Sequence, residues 1–105
     1  MVQLPAKVKN TLDRYLQALE RGNIPIQQAI LFGSYARGNS HEWSDIDIAL
    51  VSDIFAGNRM DDKDKIRAIT LSVSSELEVI AFAPQDFTPQ NPFVKEILKT
   101  GIQLV

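Results

Sequence analysis

The run Ile26-Gln27-Gln28-Ala29-Ile30-Leu31-Phe32 leads into Gly33-Ser34-Tyr35-Ala36-Arg37-Gly38 and, after a short polar turn, into Ser44-Asp45-Ile46-Asp47-Ile48-Ala49-Leu50-Val51. The first part is a β-friendly apolar run between Pro25 and Gly33, short enough to be a buried strand. From Asp45 to Val51 the period is two, which predicts a second strand. Successive strand side chains face opposite ways, so Asp45 and Asp47 share one face while Ile46, Ile48 and Leu50 take the other.

On the N-terminal side, Val8, Leu12, Tyr15, Leu16 and Leu19 recur at the spacing of one helical face. Gly22-Asn23 is a stop after them, which predicts a helix over about residues 6 to 21. Residues 52 to 60 read as loop. Asp61 to Ser75 reads as a second long helix, with an acidic first turn and Ile66, Ile69 and Val73 at helical spacing. Leu77 to Ala83, ended by Pro84, reads as a third strand. Asn91-Pro92 is an N-cap with proline at the first helical position, and Phe93, Val94, Ile97 and Leu98 form the apolar face of a last helix. Gly101 stands where a left-handed C-cap belongs, and residues 102 to 105 are a candidate short strand. This order indicates an α+β or layered α/β domain, with helices packed on one sheet.

The chain has 105 residues, 45% of them hydrophobic, 11 Lys+Arg against 13 Asp+Glu, one His and no Cys. That suits one domain, residues 1–105, able to bury roughly 65% of its unfolded surface without staples. Lack of cysteine excludes thiol nucleophiles, disulfides and Cys-based zinc sites. A net charge of −2 without like-charge blocks gives no general attraction to nucleic acid or acidic membrane. With no signal-like apolar segment at the start and no run long enough to cross a bilayer, a cytoplasmic protein is expected.

Two carboxylates on one patch repel, so a protein that places them there needs a cation between them or must tolerate a raised pKa. Oxygen-only ligands favour Mg²⁺ or Mn²⁺. Taken alone, Asp-x-Asp also reads as the solvated face of an edge strand. The Gly33-Ser34 element adds a second feature: it comes directly after a buried strand, and its backbone N–H groups and Ser34 hydroxyl suit phosphate oxygens, with Gly33 permitting close approach. A cation site beside an anion site fits a metal-bound nucleoside triphosphate.

Gly33-Ser34, ten residues, then Asp45-x-Asp47 resembles the GSx10DxD signature of the DNA polymerase β-like nucleotidyltransferases. GSYARG with SDIDIAL is similar to the minimal nucleotidyltransferases (MNT), small proteins often paired with a helical HEPN-domain partner in toxin–antitoxin systems. The resemblance implies a mixed sheet flanked by helices, two divalent ions (Mg²⁺ or Mn²⁺), and transfer of a nucleoside monophosphate from a triphosphate such as ATP to a hydroxyl acceptor. It also implies a third carboxylate from a neighbouring strand, serving as base or metal ligand. Glu78 is the candidate, where the family more often has Asp, and Glu76, of the same parity, is the second choice; a solvent-facing strand carboxylate is the alternative for either. Catalytic and metal-binding roles thus fall on Asp45, Asp47 and Glu78, and phosphate binding on Gly33, Ser34 and Arg37.

Other residues have weaker claims. Ser44 suits a turn before the strand. Tyr35 and Trp43 could stack on a base, although such aromatics more often pack on their own domain. His41 is the lone histidine, in a polar turn, and Asp61-Asp62-Lys63-Asp64-Lys65 reads as a solvated helix start. The resemblance further implies that larger members of the family append a helical domain that holds the acceptor, so here the acceptor pocket is expected to be shallow or borrowed. Three functions are compatible with it: an antitoxin that adenylylates a HEPN partner, an antitoxin that neutralises the partner by binding alone, and a transferase for a small-molecule hydroxyl. Self-association through the last helix is the alternative to a hetero-complex.

Overall fold

In the computed structural model, which describes residues 4–39 and 44–105, the periodicity around Leu12 becomes helix α1 (Ala6–Arg21), with Val8, Leu12, Tyr15 and Leu19 buried. Next come β1 (Gln28–Phe32), the short α2 (Ser34–Arg37), β2 (Ile46–Val51), α3 (Arg59–Val73), β3 (Leu77–Phe82), a 3₁₀ turn (Pro84–Asp86), α4 (Pro92–Thr100) and β4 (Ile102–Gln103). The sheet is mixed, in the order β3-β2-β1-β4. β1 runs antiparallel to both β2 and β4, whereas β2 and β3 are parallel. The parallel pair needs a crossover, and α3 supplies it.

Strand alternation divides the core into two layers. Ile46, Ile48 and Leu50 pack with α1, Ile66 of α3, and Leu77, Val79 and Ala81 of β3. Ala49 and Val51 face the other way, with Ile30, Phe82, Phe87 and the α4 residues Val94 and Ile97. The two long helices are joined by a buried hydrogen bond of 2.7 Å between the Tyr15 and Thr70 hydroxyls. Burial pushes the Tyr15 pKa up to about 12, because the Thr70 hydroxyl compensates a buried phenolate only in part.

Three local expectations are corrected. Gly101 is extended (φ −77°, ψ 163°) rather than left-handed. A Cβ there would stand 2.5 Å from Ile30 Cγ2 and 2.5 Å from the Ile97 carbonyl, so close packing against β1 and the helix end explains the glycine. Asp62 belongs to no solvated face: it is fully buried. Its carboxylate accepts the Ala56 N–H at 2.8 Å and the Gly57 N–H at 2.9 Å, with Lys65 Nζ at 3.3 Å. Burial raises its pKa, but these donors outweigh burial and leave it below the usual carboxylate value. Asp62 thus pins the loop before α3, while Asp61, Lys63, Asp64 and Lys65 are exposed as expected of a solvated helix start. That helix also begins earlier than its acidic turn suggests, because Asn58 caps it by accepting the Asp61 N–H at 3.2 Å.

Candidate active site

Register builds the site. Phe32 of β1 lies opposite Asp47 of β2, and Glu78 of β3 lies opposite Asp47 on the other side. Cross-strand partners share a face, so Phe32, Asp47 and Glu78 form one row across the sheet. It is the face on which α4 packs, and Phe93 of α4 meets Phe32 edge-on with ring centroids 5.8 Å apart. Asp45 immediately precedes β2 and is exposed. Asp47 is half-buried, and its pKa is raised, first by burial, then by the charges of Asp45 and Glu78, with Arg37 acting in the opposite direction.

β1 delivers the chain directly to Gly33, which has φ 76° and ψ −153°, a conformation that side chains rarely tolerate. A Cβ there would overlap Asp47 Oδ2 and lie 3.1 Å from its Cγ. The glycine therefore lets the backbone lie against the carboxylate. Tyr35 and Ala36 are buried and anchor α2. This leaves Ser34 half-buried and Arg37 exposed. Tyr35 is accordingly a core residue, not a surface for stacking. Trp43 and His41 lie outside the described residues, while Ser44 is buried just before β2.

Glu78 and Glu76 part company. Glu78 is exposed beside Asp47, and Lys63 Nζ of α3 approaches its Oε1 at 3.4 Å. Glu76 precedes β3 and meets Lys7 of α1 at 3.5 Å. Among the described residues no three His, Asp or Glu side chains converge as a ready metal cage. The donors nevertheless suit a hard divalent cation: all are carboxylate oxygens, and the central one is held back from ionising by burial and by its neighbours. Sequence reading passes over Lys63, since its partner lies across the fold and leaves no local signal. A cavity of about 550 Å³ at the end of α1, lined by Leu16, Ile24, Pro25 and Val105 among others, contains none of these groups.

The family described as polymerase beta, nucleotidyltransferase, matches residues 10–105. The chain belongs to the polymerase beta nucleotidyltransferase family. It is an enzyme of that kind, of the minimal MNT type. It is 30% identical over 105 residues to a candidate protein adenylyltransferase of Methanocaldococcus jannaschii, covering 93% of this chain and 71% of that protein. Among solved structures, a toxin–antitoxin crystal structure with AMP-PNP has TM-score 0.63 at 24% identity, over 89% of this chain and 71% of the other. A mutant form of the toxin–antitoxin MntA-HpeT has TM-score 0.60 at 25% identity, over 98% and 73%. The mixed sheet with flanking helices is the nucleotidyltransferase fold. No described helix is long and apolar enough to cross a membrane.

Proposed function

We propose that this chain, acting as a single domain over residues 1–105, transfers AMP from ATP to a hydroxyl on a HEPN-type partner protein, the α–β phosphoanhydride bond breaking with release of pyrophosphate, as the antitoxin of a cytoplasmic pair. The observation that carries the reading is the placement of Asp47 between Gly33 and Glu78, in a chain of nucleotidyltransferase family. The relationship to a candidate protein adenylyltransferase supports AMP as the group and protein as the acceptor. The toxin–antitoxin relatives support a partner chain.

In this reading Asp45, Asp47 and Glu78 hold divalent ions, two Mg²⁺ or Mn²⁺, which supply charge neutralisation and acidify an acceptor hydroxyl. Ser34 donates a hydrogen bond to a phosphate oxygen, and Arg37 places its guanidinium against the same phosphates. Gly33 keeps the path between phosphate and carboxylate free of side-chain atoms. Glu78, at the sheet edge, is the carboxylate most open to an incoming acceptor and receives or orients its proton.

The test is incubation of the chain and its co-purified partner with Mg²⁺ and labelled ATP, followed by intact-mass analysis. Gain of adenylyl mass on the partner is expected, with loss of that gain in Asp45→Asn/Asp47→Asn. A partner that never gains mass would refute adenylylation and leave neutralisation by contact; gain only on an added small-molecule alcohol would point to the third function.

A further inference from the structure

Lys63 lies in a helical turn crowded with aspartates, yet no carboxylate stands three or four residues from it. Those positions hold Arg59, Met60, Ile66 and Arg67, so the sequence offers it none of the usual helical ion pairs. Asp62, its neighbour, is committed to the Ala56 and Gly57 N–H groups. That anchorage fixes the first turns of α3. Lys63 instead reaches Glu78 at 3.4 Å, from a helix packed on the opposite face of β3. It does so round an edge strand, since β3 ends the sheet.

We infer that Lys63 is a resident counter-ion for Glu78, occupying that carboxylate until a divalent cation displaces it, and so sets the cation concentration at which the site loads. The inference rests on the reading of Glu78 as a cation ligand. Both side chains are about half exposed, 50% and 54%, so the pair is wet and exchangeable. Displacing a pair of this kind lowers cation affinity about 1.5- to 5-fold, the equivalent of the 0.2–1 kcal/mol (about) that an exposed ion pair is worth. The lysine thus acts as a positioning residue, through Glu78.

The test is Mn²⁺ titration of the full chain without nucleotide, with free Mn²⁺ read by electron paramagnetic resonance. Lys63→Gln is expected to tighten binding about 1.5- to 5-fold, and Lys63→Arg to restore wild-type affinity. In a Glu78→Gln background, Lys63→Gln should change nothing. Equal tightening in that background would mean a general charge effect and overturn the inference, as would an inert Lys63→Gln beside a Glu78→Gln that weakens binding. A Glu78→Gln that leaves Mn²⁺ affinity unchanged would instead remove the ligand reading, and the inference with it. Both positions are exposed, so the variants fold.

Discussion

Replacing Gly33 with alanine perturbs the site without touching a charged group. Two costs arise from its geometry. The backbone at φ 76°, ψ −153° would hold a non-glycine residue in a region costing about 1–3 kcal/mol. The new methyl would also drive Asp47 off its present position, since it would lie 3.1 Å from Cγ and overlap Oδ2, and an off-rotamer side chain costs about 0.5–1.5 kcal/mol. Together these give a loss of about 1.5–4.5 kcal/mol, serious for a domain whose stability is about 5–15 kcal/mol. Displacing a reacting group by an ångström lowers turnover about 100-fold. Urea denaturation of Gly33→Ala, Asp47→Ala and the double variant separates the two costs. The double variant should recover the collision, about 1 kcal/mol, and retain the backbone strain. A Gly33→Ala protein within about 0.5 kcal/mol of wild type, or one with undiminished adenylyl transfer, would refute this account.

Asp62→Asn should cost about 1.5–3 kcal/mol in the same assay, because an amide cannot accept equally well from both backbone N–H groups that share the charged carboxylate. Its lowered pKa contributes stability present above the ordinary carboxylate value and lost as pH falls through the folded one, so the variant's acid-unfolding curve should be flatter than wild type's. Asp47 has the opposite sign: stability present at low pH is lost as pH rises from the ordinary carboxylate value through its raised one, so Asp47→Asn should stabilise the metal-free protein against urea at neutral pH. Thermal melts with and without Mg²⁺ and nucleotide should show a stabilising shift that Asp45→Asn/Asp47→Asn abolishes. Ser34→Ala should weaken triphosphate binding by about 1.5–3 kcal/mol in calorimetry, the value of one hydrogen bond to a charged group.

Local pattern carries the elements well. Helical spacing locates α1, Asn91-Pro92 locates the start of α4, and period-two alternation puts Asp45 and Asp47 opposite Ile46 and Ile48. Parity alone cannot rank Glu78 above Glu76, because parity is blind to register and to Lys7 across the fold. Strand direction is equally hidden: the antiparallel β1–β2 pair and the parallel β2–β3 pair depend on how helices cross the sheet. Asp62 misleads because a carboxylate in a first helical turn usually meets solvent, and only the folded loop reveals the two N–H donors. Gly101 misleads because two different needs, a left-handed turn and a close approach, select the same residue. Asn58, three residues before Asp61, is a readable cap signal.

The parallel pairing of Asp47 with Glu78 also has a kinetic meaning. Phe32 and Asp47 meet across a chain separation of about fifteen residues, and Asp47 and Glu78 across about thirty. A doubled loop costs only about 0.6 kcal/mol more to close, yet during synthesis the second pairing must wait until the α3 residues and β3 itself have been made. A chain emerging from synthesis therefore presents its two aspartates well before their glutamate partner arrives, and the row of carboxylates is completed only when the sheet gains its edge strand.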